Sequence, residues 1–259
     1  MKDCREEWYD KDAKVAVTIV DVTSAAQELA RGHLAGPTAA HYLTEALVSV
    51  ALLGAEMSEK DETVILQAKC SGPLGGYNVE CTAQGTLRGY TEKKVLDGFD
   101  GLGKPKDKMV LGDQQIQVTR SVPGRILSQG ISTSLDGYFA GSLQRKACLK
   151  VEAAVSDEVA ILEARGILVE DMPDAKGPMV CCKTDDLKSL AVASRNILKQ
   201  LGLEKAELKK TTPLKFACRC SPDRAVAMLA ALSEEERKAL PPTIDITCHM
   251  CGKTFTVKV

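Results

Sequence analysis

Four cysteines near the end of the chain stand in two close pairs, Cys218-Arg219-Cys220 and Cys248-His249-Met250-Cys251, with 27 residues between Cys220 and Cys248. Cysteine thiolates at C-x-C and C-x-x-C spacing suit a tetrahedral zinc ion. The leading reading is therefore one zinc per chain held by Cys218, Cys220, Cys248 and Cys251. Gly252 follows the second pair. A knuckle turn needs a positive φ there, and it lets backbone amides point at the sulfurs. His249 lies inside the knuckle, where four sulfurs leave it no coordination role and an exposed turn position is expected.

The same sulfurs permit redox chemistry. Zinc–sulfur bonds of about 2.3 Å bring neighbouring sulfurs within roughly 4 Å of one another, close to disulfide range. The turn at Cys248–Cys251 closes easily. An extended backbone at Cys218–Cys220 holds its Cα atoms at the edge of what a disulfide allows, so that pair closes after the local fold loosens. Zinc keeps the thiols ionised and reactive towards oxidants. A unit this small buries too little to fold unaided, and structural zinc supplies on the order of 10–16 kcal/mol of coupled folding free energy. Oxidation would expel the ion, melt the module and undock the segment before it. An exposed apolar surface of that size binds other apolar surfaces. The spacing permits such an oxidant-gated binder without requiring it.

The elements that would position these residues follow from pattern. Residues 14–22 and 63–69 are β-branched runs that read as strands, and 77–83 and 87–90 continue the β-structure around strong turn signals at Gly72-Pro73 and Gln84-Gly85. Residues 23–35 are helix-compatible, and Gly36-Pro37 opens a long helix over 38–57. Residues 109–118, 147–155 and 158–163 read as further strands, and 135–143 as a short helix. The first 180 residues thus form an α+β domain with a mainly antiparallel sheet and packed helices. Residues 183–210 have a helical period, with Leu187, Leu190, Ile197, Leu198 and Leu201 on the apolar side. That face must dock on a neighbour, so 181–211 is a helical linker. The final unit, 212–259, contains Ser221-Pro222 as cap and first helical residue, a capping box at Ser233–Glu236, and strands at 243–247 and 254–258 around the knuckle.

Bulk composition excludes several function classes. The 259 residues carry 34 Lys plus Arg against 35 Asp plus Glu, and 4% are aromatic. There is neither a basic field nor a stacking platform for nucleic acid. Ten cysteines with no secretory leader, behind a charged start at Lys2, Asp3, Arg5, Glu6 and Glu7, fit a reducing compartment. The cytoplasm is expected, with an organelle as the alternative if a transit segment is absent from this chain. No run approaches the roughly 18 apolar residues of a membrane span. Residues 46–55 are apolar but short, and a buried helix is expected.

At this point the chain resembles the redox-regulated holdase chaperones of the heat shock protein 33 family. The two cysteine pairs are similar to that family's terminal zinc motif. Gly72-Pro73-Leu74-Gly75 and Gly85-Thr86-Leu87-Arg88-Gly89-Tyr90 are similar to its GPLG and RGY blocks, and Tyr138-Phe139 with Ser142 and Gln144 to its YF..S.Q segment. The resemblance implies an ATP-independent holdase and no enzyme, zinc-bound and inactive when reduced. Oxidation then implies the disulfides Cys218–Cys220 and Cys248–Cys251, zinc release, linker unfolding, dimerisation and capture of unfolded clients. The family's segment after YF..S.Q continues with threonine, proline and serine, where this chain has Arg145-Lys146-Ala147. The six other cysteines lie outside the family pattern.

The remaining reactive residues have structural readings. Cys4 is expected as an exposed tail thiol, Cys70 and Cys81 as a reduced pair facing each other across a hairpin, and Cys181-Cys182 as inert thiols. His33 and His41 lack partner acids at ligand spacing. Gly101-Leu102-Gly103-Lys104 lacks the length and the following Ser or Thr of a P-loop. Two other functions stay open: a zinc-ribbon interaction or nucleic-acid-binding protein whose metal is purely structural, and a thiol oxidoreductase.

Overall fold

The structure is a computed structural model in which residues 3–101, 106–175 and 179–258 are described, without the side chain of Cys182. Two sheets enclose a buried helix. Strands β1 (Cys4–Asp10) and β2 (Val15–Asp21) lead into α1 (Thr23–His33) and α2 (Pro37–Leu53). Then come β3 (Thr63–Cys70), β4 (Gly76–Thr82), β5 (Thr86–Thr91), the short α3 (Asp107–Val110), β6 (Gln114–Val122) and β7 (Arg125–Ser132). The short α4 (Leu135–Gly137) runs into a π turn at Tyr138–Ser142, followed by β8 (Lys146–Val155) and β9 (Ile161–Asp171). The linker region holds a 3₁₀ turn at Cys181–Thr184, α5 (Ser194–Leu201) and β10 (Glu207–Pro213). The chain ends in β11 (Lys215–Phe216), α6 (Pro222–Ala230), α7 (Glu234–Lys238), β12 (Thr243–Thr247) and β13 (Thr254–Lys258).

The five-stranded sheet has the order β10-β1-β2-β9-β8 and the six-stranded sheet β11-β5-β4-β3-β6-β7. The pairings are antiparallel except β11 on β5, which is parallel. The fold class expected from sequence is therefore present, as two sheets rather than one. Helix α2 packs against strands of both. It is apolar nearly all round, as a core helix must be, and its polar Thr44 and Ser49 hydroxyls donate to the carbonyls of Ala40 (2.7 Å) and Glu45 (2.8 Å). Helix Pro37–Glu56 is long and apolar enough by composition to cross a membrane, a longer stretch than residues 46–55 suggested. However, 89% of its most apolar window is buried inside the protein.

Alternation along β2 and β9 gives the five-stranded sheet two covered faces. Val20, Ala164 and Leu168 join the core around α2. Val15, Val17, Ile167 and Val169 face the other way and are covered by Leu187, Leu190, Ile197, Leu198, Leu201 and Leu203. The apolar face read in the linker thus docks on the outer side of this sheet.

Two expectations are corrected here. Residues 183–210 are not one helix: α5 spans Ser194–Leu201, Gly202 ends it in the left-handed conformation (φ 76°), and Glu207–Pro213 is strand β10 on the edge beside β1. Nor is the charged start a tail. Cys4–Asp10 is a strand paired on both sides, so Cys4 is half-buried opposite Asp21 and Pro213. Strand β9 also starts later and runs further than the expected 158–163.

The segment from β10 to β11 is an edge strand in both sheets in turn. The amide of Leu214, between them, donates to the Asp3 carbonyl (3.0 Å). This strap connects the docked linker to Cys218. Beyond it, among the described residues, α6 and the β12–β13 hairpin share a small core of Ala225, Leu229 and Val257 with a few half-buried neighbours.

Candidate metal centre

Each cysteine pair is placed by a different device. Cys218 and Cys220 follow β11, and the Ala217 amide donates to the Leu87 carbonyl of β5 (3.1 Å), which fixes the first pair against the six-stranded sheet. Cys248 and Cys251 sit in the turn that closes β12 on β13. There the Cys248 amide donates to Lys253 (2.9 Å) and the Gly252 amide donates back to Cys248 (2.9 Å). Gly252 has φ 73°, the left-handed value the knuckle was expected to require.

Ligand atoms of Cys218, Cys220, Cys248 and Cys251 all lie within 4.8 Å of one another. The sulfurs of Cys218 and Cys248 are 3.8 Å apart, and those of Cys220 and Cys251 3.4 Å, both contacts running between the two pairs. About 4 Å is the separation that four sulfurs on one zinc ion would take. The donor set is soft, all-thiolate and closed, which fits structural zinc. Cys251 is buried and the other three are half-buried.

Charge surrounds the first pair. Arg88 of β5 places Nη1 3.7 Å from the Cys218 sulfur and pairs through Nε with Glu80 of β4. Arg219, between the two ligands, donates to the same Glu80 carboxylate (3.0 Å). Burial opposes ionisation of Cys218, but the Cys220 amide and the Arg88 guanidinium outweigh it and bring the thiol down to about 7. Burial pushes the Cys220 and Cys251 thiols up. A divalent cation held by the four sulfurs would override these differences by keeping all four as thiolates.

The knuckle also touches the core. The Gly89 amide of β5 donates to the Met250 carbonyl (3.1 Å), and His33, at the end of α1, places Nε2 2.7 Å from the Gly89 carbonyl. The Gly89 carbonyl can only accept, so Nε2 is the donor nitrogen of His33, and burial holds the ring below the ordinary histidine range. His249 is exposed as expected, with its ring edge-on to Tyr90 (centroids 5.9 Å).

The other reactive residues lie elsewhere. Cys81 pairs with Val64, six positions from Cys70 along β3, which puts the two thiols about 20 Å apart. The expected facing pair is not formed. Cys181 is buried and hydrogen-bonded to Cys148 of β8, and its amide donates to Asp171 (3.0 Å). His41 pairs with Glu45 one turn on (3.0 Å). Leu102-Gly103-Lys104 of the P-loop lookalike lies outside the described residues. Sequence spacing alone missed Gly32, Glu80 and Arg88 as neighbours of the centre.

A family model described as "Hsp33 protein" matches residues 7–258. The chain belongs to the Hsp33 family. Among curated Hsp33 relatives, a 33 kDa chaperonin of Oceanobacillus iheyensis is 25% identical over 98% of this chain and 96% of its own. One from Geobacillus kaustophilus is 27% identical over 90% and 87%, and one from Thermus thermophilus 26% over 92% and 79%. The fold is shared with the solved Hsp33 homolog of Thermotoga maritima, at TM-score 0.87 and 21% identity over 100% of this chain and 95% of that one. As an Hsp33 protein the chain is a chaperone.

Proposed function

We propose that the chain is a redox-regulated, ATP-independent holdase of the cytoplasm, held inactive while Cys218, Cys220, Cys248 and Cys251 bind one zinc ion. The observation that carries this reading is the four-sulfur cluster, seated at the end of a strap that leads back to an apolar linker covering a sheet. Residues 1–180 are the client-binding core, 181–211 the redox-sensitive linker and 212–259 the switch module.

The chemistry balances with peroxide as oxidant. A cysteine thiolate attacks one peroxide oxygen to give a sulfenic acid and water, and a second thiol attacks that sulfur, forming the disulfide and releasing a second water. The pairs are Cys218–Cys220 and Cys248–Cys251. With no thiolates left the four cysteines would no longer hold the ion, and the module would lose what its small core cannot replace. The strap and linker then leave the sheet, uncovering Val15, Val17, Ile167 and Val169 for unfolded clients. The active form is a homodimer, and neither nucleic acid nor a membrane is a partner.

The test is light scattering of an unfolding client with reduced, zinc-loaded protein and with peroxide- or hypochlorite-treated protein. Suppression only after oxidation is expected, with peptide mapping giving the two named disulfides. Equal suppression in both states removes the switch, and salt-sensitive nucleic-acid binding with no gain on oxidation replaces it with a structural zinc ribbon.

A further inference from the structure

We propose that Gly32 and His33 of α1, with Arg88 and Gly89 of β5, form a socket on the core that seats the metal knuckle, and that this socket couples the state of the four sulfurs to release of the strap and linker. The inference rests on the reading that the cysteines hold zinc in the reduced chain, and adds the core residues through which that centre acts.

The contacts reach both cysteine pairs from the core side. Arg88 touches Cys218 and shares Glu80 with Arg219, while the Gly89 amide donates to Met250. On the other side of the knuckle, two backbones meet with no side chain between them. A Cβ on Gly32 would stand 2.6 Å from the Cys251 carbonyl oxygen, and one on Gly252 would stand 2.0 Å from the Gly32 carbonyl oxygen. Gly32 does not terminate α1, because Leu34 takes the left-handed cap position at φ 52°. A glycine inside the last helical turn weakens the helix relative to alanine. Its place is explained by the knuckle it admits.

The electrostatics make the seat depend on the sulfurs. Four thiolates around a divalent cation leave an excess of negative charge, and Arg88 faces it from the Cys218 side. A disulfide is neutral and a poor acceptor, so oxidation removes the sulfur partner of Arg88 Nη1 and leaves the guanidinium paired with Glu80 alone. The consequence runs along the chain. With the knuckle unseated, the strap is held by the two residues of β11, by Leu214 and by the edge strand β10, whose side chains are mostly exposed. The edge peels from the Cys218 end, back towards α5 and the buried leucines of the linker.

The experiment uses the full chain, reduced and zinc-loaded, as parent, Gly32→Ala and Arg88→Met. Metal content, hydrogen exchange by mass spectrometry and zinc transfer to a competing chelator are measured on each. Alanine wedges the socket from the core side while favouring helix in α1. Both variants are expected to bind one zinc per chain and keep the parent's core exchange. Exchange in the knuckle and over 207–217, and the rate of zinc transfer, should each rise about tenfold. Parent-like exchange and transfer in Gly32→Ala overturns the socket, as does unfolding of its core, because alanine there should leave α1 intact. If Arg88→Met does not fold, Gly32→Ala decides alone. A parent that purifies reduced but free of zinc instead defeats the metal reading, a separate result.

Discussion

Arg5 of β1 donates from Nη1 to the carbonyl of Ala51, 3.1 Å away in the last turn of α2. The side chain is 1% exposed and its Nε pairs with Glu7 at 3.1 Å. A cation at a helix C-terminus satisfies an orphan carbonyl and opposes the helix dipole. Gly54 leaves the room, since a Cβ there would stand 2.1 Å from Nη1. Arg5→Met should lower unfolding stability by about 2–4 kcal/mol, and Gly54→Ala by about 1–3 kcal/mol as it displaces the guanidinium. Urea midpoints at unchanged slope measure both. A parent-like midpoint for Arg5→Met would show that the contact contributes nothing.

That arginine lies in a strand invisible to pattern. Cys4–Asp10 reads Cys-Arg-Glu-Glu-Trp-Tyr-Asp, with no apolar alternation, and is a strand because β2 and β10 pair with it on both sides. Glu207–Pro213 was hidden similarly, its lysines continuing the helical period of α5 until pairing with β1 overrode it. Where local chemistry decides, the sequence was legible. The Gly36-Pro37 start of α2, the β3–β4 turn and the Ser233–Glu236 capping box all stand as read. The same division holds at the centre. Cysteine spacing revealed the quartet, whereas His33 meets Gly89 across 56 positions and Arg88 meets Cys218 across 130, contacts that only the packed sheets create.

Linker docking rests on few side chains. Ile197 and Leu198 are fully buried against the five-stranded sheet. Leu198→Ala should cost about 2–5 kcal/mol, enough to detach a segment this short while zinc stays bound. Hydrogen exchange over 187–203 should rise, and client aggregation should be suppressed without oxidant. A variant that binds zinc, exchanges like the parent and stays inactive would separate the linker from the switch.

Cys181 reports the same event chemically. Burial and its neighbours Cys148 and Asp171 push its thiol well above the ordinary range. In the reduced, zinc-loaded chain it should alkylate slowly, and undocking should accelerate labelling at least about tenfold. Peptide mass spectrometry after timed iodoacetamide pulses resolves it. An unchanged Cys181 rate after zinc release would mean that the linker start stays docked.

Acid should weaken the core through Glu62, which is fully buried and accepts from the Ser58 and Glu59 amides (2.9 and 3.1 Å) and from Arg120 (2.6 Å). Burial opposes its ionisation, but these donors prevail and hold the carboxyl below the usual glutamate range. A depressed folded value means the contribution is complete above the unfolded value of about 4.3 and is lost as pH falls through the folded one. Glu62→Gln should therefore be less stable at neutral pH and lose less on acidification below about pH 5. Parallel stability–pH curves for parent and variant would assign the acid response elsewhere.

The central claim is met most directly by titrating the reduced protein with peroxide while counting released zinc and remaining thiols in the same sample. The account predicts one zinc freed per chain as the four thiols of Cys218, Cys220, Cys248 and Cys251 disappear, with client binding rising in step. Loss of those thiols with the ion still bound, or client binding that rises before any zinc is released, would contradict it.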